Sequence, residues 1–115
     1  MTFFRLTILA AVITLTGCSR APVVTIVNRS TNVLTNIVLS GSGFSERIDR
    51  IAAGTERRIT VRPPGESGLR IAFEAGGQRV DLDDLGYIEG RGGYRVTLAV
   101  QSDLKVSASS SLRRY

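Results

Sequence analysis

What is missing narrows this chain first. Its 115 residues include no histidine, no tryptophan, one cysteine (Cys18) and one lysine (Lys105). Without histidine the chain lacks the commonest general base and the commonest neutral metal ligand. One cysteine cannot close an intramolecular disulfide, so the fold must be held by its own core. No apolar run approaches the roughly 20 residues of a membrane-spanning helix. After residue 22 no window of ten residues carries apolar side chains at helical spacing, which excludes a long amphipathic helix.

What is present begins with a targeting pattern. Met1 to Arg5 is short and weakly positive, Leu6 to Leu15 is apolar apart from Thr7 and Thr14, and small residues lead to Cys18. Charged, apolar and small-residue regions in that order are those of a secretory signal. Leu15-Thr16-Gly17-Cys18 resembles the lipobox of bacterial lipoproteins. The resemblance implies a helical signal peptide over 1–17, cleavage before Cys18, and a Cys18 thiol carrying a diacylglycerol. An uncleaved signal anchor and an ordinary signal peptide with an incidental cysteine are the alternatives. Two or more acyl chains hold a protein firmly on a bilayer, and three are usual in the resembled class. Ser19 in the following position implies, within that class, export to the outer membrane with the domain on the periplasmic face.

Removing 1–17 leaves 98 of the 115 residues and takes away one cation, Arg5, so 14 Lys plus Arg face 10 Asp plus Glu, a net +4. Ninety-eight residues suit one domain with one core. Of the 15 cations in the chain 14 are arginine, a bias that genomic base composition produces without selection for phosphate binding. The modest positive charge still favours an anionic lipid or polysaccharide surface. With Cys18 lipidated, residues 18–22 are the anchor and tether. Four extended residues, Ser19 to Pro22, span only about 14 Å, which keeps the domain close to the bilayer.

From Val23 to Ser107 the chain reads as short strands separated by turn residues. Val23–Val27 is β-branched throughout and is followed by the turn composition Asn28-Arg29-Ser30-Thr31-Asn32. Val33–Ser40 is a second strand, Phe44–Ile51 a weakly alternating edge strand, and Arg57–Arg62 a strand with Ile59 and Val61 on one face, stopped by Pro63-Pro64-Gly65. Leu69, Ile71 and Phe73 alternate with polar or small residues, Gly76-Gly77 signals a hairpin, and Val80 and Leu82 continue the alternation. Leu85–Glu89 is a short strand. Tyr94, Val96, Leu98 and Val100 form the longest alternation, and Leu104 and Val106 suggest a last strand. Residues 108–115, serine-rich and ending in two arginines and a tyrosine, read as a flexible tail. The pattern predicts an all-β fold, a single antiparallel β-sandwich of about seven to nine short strands over 23–107. Val24 to Ser30, Leu34 to Leu39 and Ile51-Ala52-Ala53-Gly54 together resemble extracytoplasmic immunoglobulin-like domains of bacteria, a likeness covering about residues 23–62. The resemblance carries no Cys…Trp…Cys signature and implies fold class only.

Few constellations suggest chemistry. Asp81, Asp83 and Asp84, with Glu89, form the one acidic cluster, read either as a solvated turn or as oxygen ligands for calcium, although the spacing of a calcium loop is absent. Gly41-Ser42-Gly43-Phe44-Ser45 lacks the ending of a phosphate loop and reads as a turn. Asn28-Arg29-Ser30 matches a glycosylation acceptor by chance. Arg58 and Arg62 fall on the face opposite Ile59 and Val61, a basic surface that suits anionic groups or simply blunts a strand edge. Tyr87, Arg91, Tyr94 and Arg95 surround Gly92-Gly93; tyrosine and arginine at a loop compose either a recognition surface or a hairpin with both rings on the core.

These readings predict a non-enzymatic interaction module of the cell envelope. It is anchored to the membrane through Cys18, and its partner is an envelope protein or an anionic polymer met through the Tyr87, Arg91, Tyr94 and Arg95 loop or a sheet edge. The alternative is a small-ligand or calcium-binding lipoprotein. No catalytic residue, resident metal or cofactor is expected. Nucleic acid is not expected as a partner, because the charge lacks interleaved aromatic platforms.

Overall fold

The computed structural model describes residues 21–112. The signal peptide, Cys18 and the last three residues of the expected tail lie outside the described residues. Ten strands are present: β1 Val23–Asn28, β2 Leu34–Gly41, β3 Phe44–Ile51, β4 Glu56–Thr60, β5 Glu66–Gly68, β6 Arg70–Ala75, β7 Gln78–Leu82, β8 Tyr87–Glu89, β9 Tyr94–Val100 and β10 Val106–Leu112. They form one sheet in the order β10-β9-β1-β4, a second in the order β3-β2-β6-β7, and a ribbon of β5 and β8. The chain is thus an all-β sandwich, as the alternation predicts.

Period-two burial builds the core. Val24 and Ile26 of β1, Ile71 and Phe73 of β6, and Val96, Leu98 and Val100 of β9 all turn inward and are almost wholly buried. Phe73 is the largest of these side chains. In β2 the inward residues are Leu34, Ile37 and Leu39, so one interval is three residues long. Asn36 accounts for it. Its φ is +47°, and the pairing of β2 with β6 shifts register between Thr35 and Val38, a bulge that returns Ile37 to the core face. Asparagine tolerates this left-handed conformation better than most residues. Between β6 and β7, Gly76 and Gly77 have φ of +56° and +77°, the paired positive values of a type I′ hairpin turn.

The Asn-x-Ser segment is a structural turn. Asn28 is completely buried at the end of β1. Its Nδ2 donates to the carbonyls of Asn32 (2.8 Å) and Ile51 (3.0 Å), and its Oδ1 accepts the Ser30 N–H (3.0 Å). One side chain therefore closes the turn and ties it to the end of β3.

Several expectations need correction. There are ten strands rather than seven to nine, because Glu66–Gly68 forms a strand that no pattern in its sequence marks. The sandwich has one parallel pairing, β1 with β9, among otherwise antiparallel ones. β8 covers Tyr87–Glu89 and does not begin at Leu85. Leu104 sits at φ +68° in the turn before β10 rather than in a strand. The expected tail is ordered to Leu112: β10 pairs with β9 without interruption from Val106–Val100 to Leu112–Tyr94. Backbone pairing is indifferent to side-chain polarity, so a regular neighbour such as β9 can recruit a serine-rich segment that composition alone marks as frayed.

Candidate functional site

The outer face of the first sheet carries a surface groove. Because side chains alternate, the register alone gives its rows. Ser111, Arg95, Val23 and Thr60 form one row across β10, β9, β1 and β4; Ser109, Thr97, Thr25 and Arg58 form the next. The groove over these rows has a volume of about 390 Å³. Arg95 stands on β9 and Arg58 on β4, with β1 between them. Two strand spacings and two residues along the strand separate their Cα atoms by roughly 12 Å. Long guanidinium side chains at that separation can meet a single group lying over Thr25. The hydroxyls of Thr25, Thr97, Ser109 and Ser111 line the floor and one side, and no carboxylate lines the groove. The nearest acid on the face is Glu56, opposite Val27 in the following row. Neither Arg58 nor Arg95 forms an ion pair with a described residue.

The loop singled out in the sequence is divided by the fold. Tyr87 and Tyr94 come together edge to face, with ring centroids 5.9 Å apart and planes at 78°. They are not the two arms of a hairpin: β8 pairs with β5, while β9 lies between β1 and β10. Tyr94 packs against the core and Tyr87 stays 45% exposed. Partial removal of its ring from water pushes the Tyr87 hydroxyl pKa up to about 12, with the negative charges of Glu66 and Glu89 adding to the effect. Arg91 is exposed in the connection, and Arg95 points to the opposite face of β9, into the groove. The connection itself is held in place. The Gly90 N–H bonds the Gly65 carbonyl at 3.1 Å, and a side chain at position 90 would collide with the Pro63 carbonyl.

The acidic cluster is dispersed. Asp81 receives two bonds from the Arg70 guanidinium, at 3.1 and 3.3 Å, and this carboxylate holds the Arg70 pKa above its ordinary value. Asp83 and Asp84 border a shallower depression with Ser40 and Gly41. Among the described residues no three acidic or other ligating side chains gather in a metal-binding arrangement.

Sequence reasoning found Arg58 and Arg95 but not their proximity, and it missed Thr25, Thr97, Ser109 and Ser111. Alternation marks Thr97 as an outward residue, but Thr25 lies in a wholly β-branched run and Ser109 and Ser111 in the segment read as a tail. Only the pairing order β10-β9-β1-β4 makes them one surface.

Two four-stranded sheets packed face to face place the chain among all-β sandwich proteins. No family model matches the sequence, and no curated protein matches it. Among solved structures it is similar to that of a protein from Eubacterium rectale determined by NMR, with a TM-score of 0.57 and 11% identity over 83% of this chain and 92% of that one. The likeness is one of fold.

Proposed function

We propose that this chain is a lipid-anchored protein of the cell envelope, held through Cys18 at the periplasmic face of the outer membrane. In this reading it acts as a non-enzymatic interaction module whose binding surface is the outer face of the first sheet and whose partner is an anionic envelope polymer. One observation carries this reading: Arg58 and Arg95 overlook the same hydroxyl-lined groove, and no carboxylate lines it. Guanidinium groups form strong, charge-assisted hydrogen bonds to phosphate, sulfate and carboxylate, and serine and threonine hydroxyls suit the neighbouring sugar oxygens. The lipobox resemblance at Leu15-Thr16-Gly17-Cys18 supports the anchor.

The test is binding of the full chain to lipopolysaccharide, with neutral dextran as control, by titration calorimetry at two salt concentrations. Arg58→Gln with Arg95→Gln is expected to weaken binding about tenfold or more, since each lost charged hydrogen bond is worth roughly 1.5–3 kcal/mol. The wild-type interaction should weaken with salt. Wild-type affinity in the double variant would refute the groove. Loss of binding in Tyr87→Ala or Arg91→Gln instead would move the surface to the Tyr87–Tyr94 connection.

A further inference from the structure

The free edge of the first sheet is built unlike the others. The two four-stranded sheets end in four edge strands, β10, β4, β3 and β7. β4 bears Glu56, Arg57 and Arg58; β3 bears Glu46, Arg47, Asp49 and Arg50; β7 bears Arg79 and Asp81. Charges of this kind prevent an edge from pairing with another strand. β10, Val-Ser-Ala-Ser-Ser-Ser-Leu over 106–112, has no charge, no proline and no bulge.

Its backbone direction follows from the bonds at the hairpin end. The Gln101 N–H bonds the Lys105 carbonyl at 2.8 Å, so this pair is bonded across the hairpin. The Val100 carbonyl accepts the Arg29 N–H at 2.8 Å, on the other side of β9. Bonding alternates along an antiparallel ladder. Ser107, Ser109 and Ser111 therefore bond to Ala99, Thr97 and Arg95, and the backbone groups of Val106, Ala108, Ser110 and Leu112 aim away from the sheet.

We propose that this edge pairs with the same edge of a second copy of the chain, antiparallel about a two-fold axis through Ser109. This register uses every outward backbone group of the strand. Val106 pairs with Leu112 of the second copy, Ala108 with Ser110, and the reverse pairs follow by symmetry. The strand is complementary to itself in this register. Leu112, 59% exposed in the single chain, meets a valine; Ser107 meets Ser111, and Ser109 meets Ser109. Between Val106 and Leu112 the edge is uncharged, with the basic Lys105 and Arg113 flanking it in the sequence, and the near-palindromic stretch between them fits its own copy. The two first sheets become one eight-stranded sheet with a guanidinium groove on each side of the axis.

Disulfide trapping tests the register. The full chain carrying Ser109→Cys is produced in its own cell envelope and oxidised briefly, beside Ser107→Cys, Ser111→Cys and the wild type, whose only cysteine is Cys18. Across the axis only position 109 faces itself. Positions 107 and 111 stand about 13 Å from their own counterparts, too far for a disulfide. The expected result is a disulfide-linked band at twice the chain mass for Ser109→Cys, about fivefold or more stronger than for the other three proteins. Ala108→Pro removes an outward N–H and leaves the β9–β10 ladder whole, so adding it should lower that yield about fivefold with the melting temperature nearly unchanged. Equal linking at all three serine positions, no linking at 109, or a linked species of another mass would overturn the proposal.

Discussion

Asn28 shows how much one buried polar side chain can carry. Its side chain joins the turn after β1 to the end of β3 through four hydrogen bonds, the fourth donated by the Ser30 hydroxyl at 2.7 Å, and it is completely buried. Replacing it with alanine leaves the Ile51 carbonyl and the Ser30 N–H without these partners. Each unsatisfied buried group costs about 1–3 kcal/mol, so Asn28→Ala should lose roughly 2–4 kcal/mol of stability in a urea denaturation. Asn28→Asp should not restore it, because a carboxylate can accept the Ser30 N–H but cannot donate to Ile51. A loss below about 1 kcal/mol would mean that the turn is held by its backbone alone. The sequence reading recognised these residues as a turn from composition. Nothing local to these five residues reveals that the first of them is buried and bonded to the end of β3.

At the scale of elements, β1 to β4 and the strictly alternating β6 and β9 are legible in the sequence to within about two residues at their ends, whereas β5 and most of β10 are not. Ile71 and Phe73, the Gly76-Gly77 turn, and Val96 to Val100 could be placed because each residue's neighbours in sequence already define its two faces. β2 obscures its pattern with a bulge at Asn36, and β5 is three residues with a single buried position, Ser67. β10 was hidden for another reason. Its side chains are mostly exposed, so its order comes from the backbone ladder to β9, which composition does not report. The ladder should be measurable. Ending the chain after Ser107 removes the pairings of Ser109 with Thr97 and Ser111 with Arg95. At about 1 kcal/mol per net backbone hydrogen bond, less the ordering entropy recovered, the loss should be roughly 2–3 kcal/mol. For a domain of this size the melting temperature should then fall by roughly 10–20 °C. A true tail would leave it unchanged, so calorimetry of the shortened chain decides between the two.

At the scale of the whole molecule, the position of the groove matters as much as its chemistry. Alternation identified Arg58 as an outward residue, and the loop composition drew attention to Arg95. Their meeting depends on the parallel pairing of β1 with β9, between residues about seventy positions apart, which no local pattern encodes. That pairing sets Arg95 and Ser111 level with Val23, at the end of the sheet where the chain enters from the tether. The tether is also shorter than the sequence alone suggests. Ala21 is buried, and the Pro22 carbonyl accepts the Val61 N–H at 3.0 Å, so Ala21 and Pro22 are already part of the fold. If Cys18 is acylated as proposed, the extended chain from Cys18 to Ala21 spans at most roughly 10 Å, which would keep the groove in the neighbourhood of the headgroups. If its partner is an anionic group fixed at that surface, distance should weaken the encounter. Ten glycine and serine residues inserted between Ser19 and Arg20 add a mean span of about 17 Å and free the domain to turn. A photoreactive side chain at Thr25, on the groove floor, should then cross-link to membrane-bound polymer at least about threefold less, because the effective concentration of a tethered partner falls with linker length. An unchanged yield would place the partner in the periplasm rather than on the membrane, and the short tether would have no part in recognition.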